Sequence, residues 1–148
     1  MVEETLVILK PDCLERNLEE ECLNRLEAIG KITSKRRINV SANKIMSHYE
    51  GNLKGKSKNI KYRVLNYFVN KEVIVLLLSG ENIIKKTRDL IGVSDPSKSR
   101  PGTIRGDLGI DSYFKADADD RSCYNIIHAS DSLESFIYEK KIWFEENK

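Results

Sequence analysis

His128 is a residue whose setting in this sequence could support nucleophilic chemistry. It lies near the end of an apolar, strand-like stretch, residues 125–129, and Ser130 and the start of a helix follow it. An imidazole with an ordinary pKa of about 6.5 is largely neutral at pH 7, so a ring nitrogen can attack without prior deprotonation. Ser130 and Glu139 are chemically suited to orient the ring through hydrogen bonds. The alternative, commoner for a lone histidine, is a half-buried ring with a structural role.

Three cations form a second group that could do chemistry. Lys10 follows the first apolar stretch, Arg88 lies at the edge of an amphipathic helix, and Arg105 lies in a glycine-bearing loop. Lysine and arginine bind phosphate oxygens through charge-assisted hydrogen bonds, so the three together would suit a polyphosphate. Each could equally be an ordinary solvated charge. A binding site requires that the three converge in space.

Residues 51–57 resemble the end of a phosphate-binding P-loop, because Gly55, Lys56 and Ser57 occur in sequence. The motif also requires a glycine at position 50, where this chain has Glu50. No apolar strand precedes the segment, so the loop could not project from a sheet edge onto a helix N-terminus. We therefore do not expect a P-loop.

Apolar patterning predicts the elements that must position these residues. Strands are expected at residues 5–9, 31–40, 73–78 and 125–129. Helices are expected at residues 19–29, 42–49, 62–69, 81–91 and after residue 131. The continuous apolar run at 73–78 indicates the sheet centre, and the polar segment 93–123 is long enough to suggest a binding role.

Local spacing makes finer predictions about side-chain direction. Gly30 is placed to cap the first long helix, and alternation puts Ile32 and Ile38 on one side of the second strand. The same alternation puts Ile126 and His128 on one side of the last strand.

The order β-α-β-(α,α)-β-α-loop-β-α predicts the ferredoxin-like, split β-α-β class of α/β (α+β) fold. In that class a four-stranded antiparallel sheet carries helices on one face. With 148 residues, a single domain spanning residues 1–148 is expected.

Composition limits the function classes. The net charge of +2 does not indicate a nucleic-acid partner, and no stretch approaches the roughly 20 apolar residues of a membrane span. The first residues lack a secretory signal pattern, so a cytoplasmic location is expected. Cys13, Cys22 and Cys123 form no metal-binding pattern and are interpreted as reduced structural thiols.

These residues resemble the nucleoside diphosphate kinase family over nearly the whole chain. The family pattern Asn-x-x-His-(Gly or Ala)-Ser-Asp-Ser occurs at residues 125–132, and Pro-Gly-Thr-Ile-Arg-Gly-Asp occurs at residues 101–107. Four shorter segments also match in the family's order: Lys10-Pro11-Asp12, His48-Tyr49, Thr87-Arg88-Asp89-Leu90 and Ile142-Trp143-Phe144.

The resemblance implies a kinase that transfers the γ-phosphoryl group from a nucleoside triphosphate to a nucleoside diphosphate by a ping-pong mechanism. His128 would become phosphohistidine, Glu139 and Ser130 would orient it, and Tyr49 would lie near the transferred group. Mg²⁺ would be held mainly by the nucleotide phosphates, without protein ligands. The family also implies a homo-oligomer, for which a hexamer is expected.

The resemblance further implies how the nucleotide is bound. Lys10 and Asn125 would contact the ribose hydroxyls, and Arg88 and Arg105 the phosphates. Ser94 stands where the family usually has threonine and keeps a hydroxyl donor.

The base-binding side departs from the family. The region of the usual base-stacking phenylalanine is rich in lysine here, and Tyr62 or Ile60 is the candidate replacement. Residues Ser112 to Tyr124 contain an insertion, and Tyr124 replaces the usual arginine.

Two alternatives stay open on the same fold. One is a catalytically inactive nucleotide-binding protein, which the joint presence of the site residues disfavours. The other is a nucleic-acid-binding module, disfavoured because the predicted strands show no aromatic pair for stacking RNA bases.

Overall fold

A computed structural model describes residues 2–50 and 55–145 of the chain. The strands are β1 (Val2–Leu9), β2 (Lys31–Asn39), β3 (Glu72–Glu81) and β4 (Ile127–Ala129). The helices are α1 (Pro11–Glu15), α2 (Glu19–Glu27), α3 (Ala42–His48), α4 (Lys58–Phe68), α5 (Ile83–Ile91), α6 (Ile104–Leu108), α7 (Tyr113–Ala118) and α8 (Leu133–Lys140). A π-helical turn, Lys141–Glu145, follows α8. Within these residues no helix is long and apolar enough to cross a membrane.

The four strands form one antiparallel sheet in the order β2-β3-β1-β4. This is the strand order of the split β-α-β class, so the predicted ferredoxin-like fold is confirmed. The apolar run at residues 73–78 lies in β3, which pairs with β2 on one side and β1 on the other. Its predicted central position is also confirmed.

Helices cover both faces of the sheet, so the expected one-sided coverage is wrong. Alternate residues of β3 point into two separate core clusters, Ile74 into one and Val75 into the other. The first cluster contains buried residues of α2, α5 and α6, and the second contains residues of α3, α4 and α8. The inner strands are apolar on both faces because both faces are buried.

A β-bulge at Thr33 interrupts β2. Ile32 pairs with Leu78 and Ser34 with Leu77, so Thr33 is the extra residue on the bulged strand. Ile32 therefore packs on the first cluster while Ile38 packs on the second. The prediction that both isoleucines share one side of the strand is wrong because the extra residue reverses the alternation.

Two glycines act differently at the helix ends. Gly92 has a φ of 93° at the end of α5 and its N–H donates to Arg88 O, as a helix-terminating glycine does. Gly30 N–H likewise donates to Leu26 O at the end of α2, at 3.2 Å but without a positive φ, and Gly30 also permits close packing. A Cβ on Gly30 would lie 2.8 Å from Ser79 O of β3 and 2.7 Å from Ile83 Cδ1.

Helix α4 begins four residues before the predicted position, because the Ser57 hydroxyl accepts a hydrogen bond from Ile60 N–H and caps it. Positions 51–54 of the rejected P-loop segment lie outside the described residues. Ser57 itself is a helix cap rather than a phosphate ligand.

The long polar segment 93–123 is not a simple connector. It contains a 3₁₀ turn (Pro96–Lys98) and the helices α6 and α7. These short helices carry Arg105 and Tyr113 toward the carboxyl end of β1, where Lys10 lies. The segment thus supplies one wall of the site described next.

Candidate active site

His128 lies in β4, paired with β1. Its cross-strand partner is Ile8, so its side chain lies on the sheet face covered by α3, α4 and α8. Ile127 and Ala129 belong to the opposite cluster, as a period of two requires. Ile126 also belongs to that opposite cluster. The prediction that Ile126 and His128 share a face is therefore wrong.

A γ-turn at Ile126 breaks the alternation. Ile126 has a φ of 75°, and Ile127 N–H donates to Asn125 O at 2.8 Å. A positive φ is unfavourable for a β-branched residue and costs on the order of 1–3 kcal/mol. Two contacts from the end of β1 hold the turn: Lys10 N–H donates to Ile126 O, and Ile126 N–H donates to Asp12.

Glu139 of α8 orients the His128 ring. His128 Nε2 lies 2.9 Å from Glu139 Oε1, which also accepts a hydrogen bond from the Ser130 hydroxyl at 2.6 Å. Because Oε1 acts as an acceptor, His128 Nε2 carries the proton and Nδ1 keeps its lone pair. Burial raises the pKa of the Glu139 carboxyl, and the Ser130 hydrogen bond opposes that rise.

Helix α8 can present Glu139 because of where it starts. The Ser132 hydroxyl accepts a hydrogen bond from Ser135 N–H, so Ser132 is the N-cap. The inward residues of the helix are Phe136 and Glu139. Phe136 anchors the helix in the core while Glu139, one turn further on, meets the histidine.

A second histidine, His48, packs edge-to-face against His128 with ring centroids 4.6 Å apart. Trp143 Nε1–H donates to His48 Nδ1 at 2.9 Å, which places the His48 proton on Nε2. Burial, then the neighbouring histidine, lowers the pKa of His48 to about 3. Burial, then nearby cations, lowers the pKa of His128 to about 3. Both rings are therefore neutral at pH 7.

The three predicted cations converge around the γ-turn and β4. Lys10 Nζ donates to Asn125 Oδ1 at 2.7 Å. Arg88 donates to Ala129 O at 2.9 Å, and Arg105 donates to Asn125 O at 3.1 Å. Sequence alone could not show this convergence, which decides between a phosphate site and dispersed surface charges.

The charges of these cations repel one another in a buried setting. Burial, then the charge of Arg105, lowers the pKa of Lys10 to about 7. Burial, then the charge of Arg88, lowers the pKa of Arg105 to about 10. A bound polyanion would relieve both effects, so the site is electrostatically suited to phosphate groups.

These groups line a cavity of about 380 Å³, called here the main cavity. Seven of the site residues expected from the sequence lie on its wall: Lys10, Tyr49, Arg88, Ser94, Arg105, Asn125 and His128. Glu139 and Ser130 lie behind the histidine instead. Glu139 lines a neighbouring cavity of about 320 Å³, which shares His128 and Asp131 with the main cavity. Among the described residues His128 Nδ1 has no hydrogen-bond partner, so it is the ring nitrogen available to a ligand in the main cavity, whose wall includes His128.

Tyr62 is not brought to the site. It is 63% exposed and is absent from the wall of the main cavity, as is Ile60. Helix α4 instead contributes Val64, Tyr67 and Phe68, which follow Tyr62 on the inner side of the helix.

Several residues at the candidate site were given no role by reasoning from the sequence. Asp12 receives hydrogen bonds from Ile126 N–H and from the Tyr67 hydroxyl, and its signal was its position just after Lys10. His48 had only its neighbour Tyr49 as a signal. Tyr113 lies in the insertion and had none.

The described residues offer one cluster that could hold a metal, His48, His128 and Glu139, with ligand atoms within 4.8 Å of one another. The cluster does not suit Mg²⁺, which prefers oxygen ligands. His48 Nδ1 accepts from Trp143 and Glu139 accepts from Ser130, so these atoms are already used. The main cavity, rich in cations and bordered by the Asp131 carboxylate, fits a Mg²⁺ ion bound chiefly by phosphate oxygens.

Comparison with known proteins agrees with this site. A sequence profile described as Nucleoside diphosphate kinase matches residues 3–148. A nucleoside diphosphate kinase of Picrophilus torridus is 36% identical over 148 residues, covering 99% of this chain and 98% of the relative. The enzyme of that name from Methanocaldococcus jannaschii is 36% identical over 149 residues, covering 100% and 97%.

A solved structure is similar over nearly the whole chain. It is the transition-state mimic of the Borrelia burgdorferi nucleoside-diphosphate kinase with bound vanadate and ADP, at a TM-score of 0.91 and 30% identity. The match covers 99% of this chain and 89% of that one.

Proposed function

The chain belongs to the nucleoside diphosphate kinase family, and from that premise we propose how its own residues carry out the transfer. The reaction moves the γ-phosphoryl group of a nucleoside triphosphate to a nucleoside diphosphate through phosphohistidine at His128. The observation that carries the proposal is the Glu139 contact, which leaves Nδ1 of a neutral histidine at a cavity lined by three cations.

In the first half of the reaction, His128 Nδ1 attacks the γ-phosphorus. The bond from phosphorus to the bridging oxygen breaks, and the nucleoside diphosphate leaves with the bonding electrons. Nε2 keeps its proton throughout, because Glu139 accepts it in a hydrogen bond. No separate general base is needed, since the pKa of His128 lies at about 3.

In the second half, a β-phosphate oxygen of another nucleoside diphosphate attacks the same phosphorus. The P–N bond breaks and its electrons return to Nδ1. Because both half-reactions pass through the same in-line geometry, one site serves the donor and the acceptor.

Arg88 and Arg105 contact the phosphates, and Ser94 supplies a hydroxyl. Both guanidinium groups are held in place by backbone carbonyl oxygens, so they are positioned before the nucleotide arrives. Lys10 and Asn125, already hydrogen-bonded to each other, face the ribose. Tyr49, whose pKa is raised by burial, offers a neutral hydroxyl near the transferred group.

Mg²⁺, when bound through the nucleotide phosphates, neutralises their charge and polarises the transferred group. Asp131 is the carboxylate on the wall of the main cavity and is available to share in holding the ion.

The protein is further proposed to be a cytoplasmic homo-oligomer, with a hexamer expected. Within the described residues β2 is an edge strand, and exposed apolar side chains include Ile110, Leu133 and Ile137. Unpaired edges and exposed apolar groups favour contacts between copies. Light scattering coupled to size exclusion would measure the number of subunits.

Incubation with γ-labelled ATP and Mg²⁺ tests the proposed function. We expect a phosphoenzyme that is labile in acid, stable in base and discharged by GDP or CDP. The His128→Ala variant should take no label, whereas Tyr62→Ala, changed outside the cavity, should label normally. Wild-type protein that binds ATP and takes no label would support the inactive nucleotide-binding alternative instead.

A further inference from the structure

Helix α7 brings an aromatic ring to the main cavity from within the insertion. Tyr113, its first residue, lines the cavity while 47% of its surface stays exposed. Phe114, the next residue, is 85% exposed and is absent from the cavity wall. Two adjacent aromatic residues thus differ in one respect: the first faces the cavity and the second faces solvent.

The insertion is held in place by its own hydrogen bonds. Asp111, which is buried, accepts from Arg121 at 2.6 and 3.1 Å and from Tyr124 N–H at 2.8 Å. The Ser112 hydroxyl caps α7 by accepting from Lys115 N–H at 3.0 Å. Both ends of the segment are therefore fixed, and ordering Tyr113 on ligand binding requires little loss of entropy.

Ion pairs also tie α7 and the residues just after it to α4. Arg63 of α4 pairs with Asp117 and Asp120, each at 2.9 Å. Asn59 donates to Asp120 at 2.7 Å. Exposed ion pairs add little stability, but these set the distance between the two helices that wall the cavity, α4 and α7.

Most aromatic rings on the cavity wall are already covered. Tyr67 and Phe68 are buried and pack on each other with centroids 4.6 Å apart. Tyr49 packs on Phe68 at 5.9 Å. Among residues 2–50 and 55–145, no aromatic ring packs on Tyr113, and 47% of its surface is exposed, so a planar ligand group can reach the ring.

The chemistry of a nucleotide matches this arrangement. Arg88 and Arg105 bind the phosphates of a nucleotide, and the planar base of the nucleotide requires an aromatic or apolar surface. Val64 of α4 and Tyr113 of α7 both line the cavity, the first with an apolar side chain and the second with an aromatic ring. We propose that Tyr113 stacks on the base of the bound nucleotide, so that the insertion supplies the base-binding surface of this chain. The inference rests on the proposed function, because it takes the ligand to be a nucleotide.

Equilibrium binding to the unphosphorylated protein tests the stacking role. GDP and ribose 5-diphosphate, which has the sugar and phosphates without a base, are titrated calorimetrically in the presence of Mg²⁺. The variants are Tyr113→Ala, Tyr113→Phe and, as the matched control, Phe114→Ala.

For Tyr113→Ala we expect GDP binding to weaken by roughly 5-fold to 150-fold, the range for one base stacked on an aromatic ring. Binding of ribose 5-diphosphate should not change. Tyr113→Phe and Phe114→Ala should bind GDP as wild type does, since the first keeps the ring and the second changes a residue outside the cavity.

Three results would overturn the stacking role. Tyr113→Ala could weaken the binding of GDP and of ribose 5-diphosphate equally, or it could weaken the binding of neither. Tyr113→Phe could also lose as much affinity for GDP as Tyr113→Ala does, which would show that the hydroxyl, and not the ring, contacts the nucleotide. The proposed function is judged separately by the phosphoenzyme assay. A protein that binds GDP through Tyr113 and takes no label would keep this inference and reject the kinase.

Discussion

The reactivity of His128 follows from burial and from one carboxylate. Burial keeps the ring neutral, and Glu139 fixes the proton on Nε2. A neutral, oriented imidazole needs no further activation to attack phosphorus. Ser130 then fixes the carboxylate, so each group is positioned by the next.

Glu139→Ala should lower kcat by about 100-fold, the scale of a misplaced reacting group, while KM changes little. The reason is that Glu139 touches the ring and does not line the main cavity. Glu134→Ala, an exposed position on the same helix, is the control and should retain wild-type kcat. Steady-state kinetics would measure both. A comparable loss in the two variants would show that Glu139 acts only through helix stability.

Neither histidine should gain a proton between pH 5 and pH 8, because the pKa of each is lowered to about 3. The chain has two histidines, so both imidazole C2–H signals can be followed by proton NMR. The signal that is missing in His128→Gln belongs to His128, and the remaining signal belongs to His48. A shift of the His128 signal with a midpoint near its ordinary pKa, about 6.5, would contradict the neutral, buried state.

The sequence alone could associate site residues that lie close together in the chain. His128 and Ser130 are neighbours, and Glu139 follows at helical distance, so their association could be predicted. The Trp143 contact to His48 joins residues 95 positions apart. Tyr113 likewise reaches the cavity only through the packing of α7. Contacts between residues so far apart in the chain depend on the tertiary structure, so the local sequence pattern does not predict them.

At the scale of elements, the positions of most helices and strands were predictable and two local irregularities were not. The bulge at Thr33 and the γ-turn at Ile126 each shift the alternation by one residue. Both depend on partners elsewhere in the fold, such as Asp12 for the γ-turn. A period of two assumes a regular strand. Beyond each irregularity, it therefore assigns side chains to the wrong face of the sheet.

Gly30→Ala should lower the free energy of unfolding by about 1–3 kcal/mol, the usual range for overpacking. Its Cβ would lie 2.8 Å from the Ser79 carbonyl oxygen, which β3 holds in place. Gly80→Ala should lower the free energy of unfolding less, because the backbone atom nearest to the new Cβ, Ile29 O, would lie 3.5 Å away. Urea unfolding would compare the two. Equal losses would show that the close approach at Gly30 is not what limits its side chain.

At the scale of the whole molecule, a sheet covered on both faces buries the site residues along with the core. The ring of His128 shares a face with Trp143 and Phe136. The same burial that makes the histidines neutral also ties stability to pH. Folding lowers both histidine pKa values, so the unfolded chain binds more protons below its own histidine pKa.

The free energy of unfolding should therefore fall as the pH is lowered from 7 to 5.5. The two histidines together should account for a loss of about 2–3 kcal/mol, from an unfolded pKa of about 6.5. His128→Gln should remove about half of this dependence. Denaturant unfolding at several pH values would measure it. Stability that is constant or rises over this range would contradict the assigned protonation of the two rings.

The position of the phosphoryl group on the phosphoenzyme would show which atom of the protein attacks the nucleotide. Phosphorus-31 NMR and tandem mass spectrometry of protein labelled from ATP would identify the residue and the nitrogen. We expect one phosphoryl group, on His128 Nδ1, because Nε2 is bound to Glu139. Phosphate on His128 Nε2, or on any other residue, would contradict attack by His128 Nδ1.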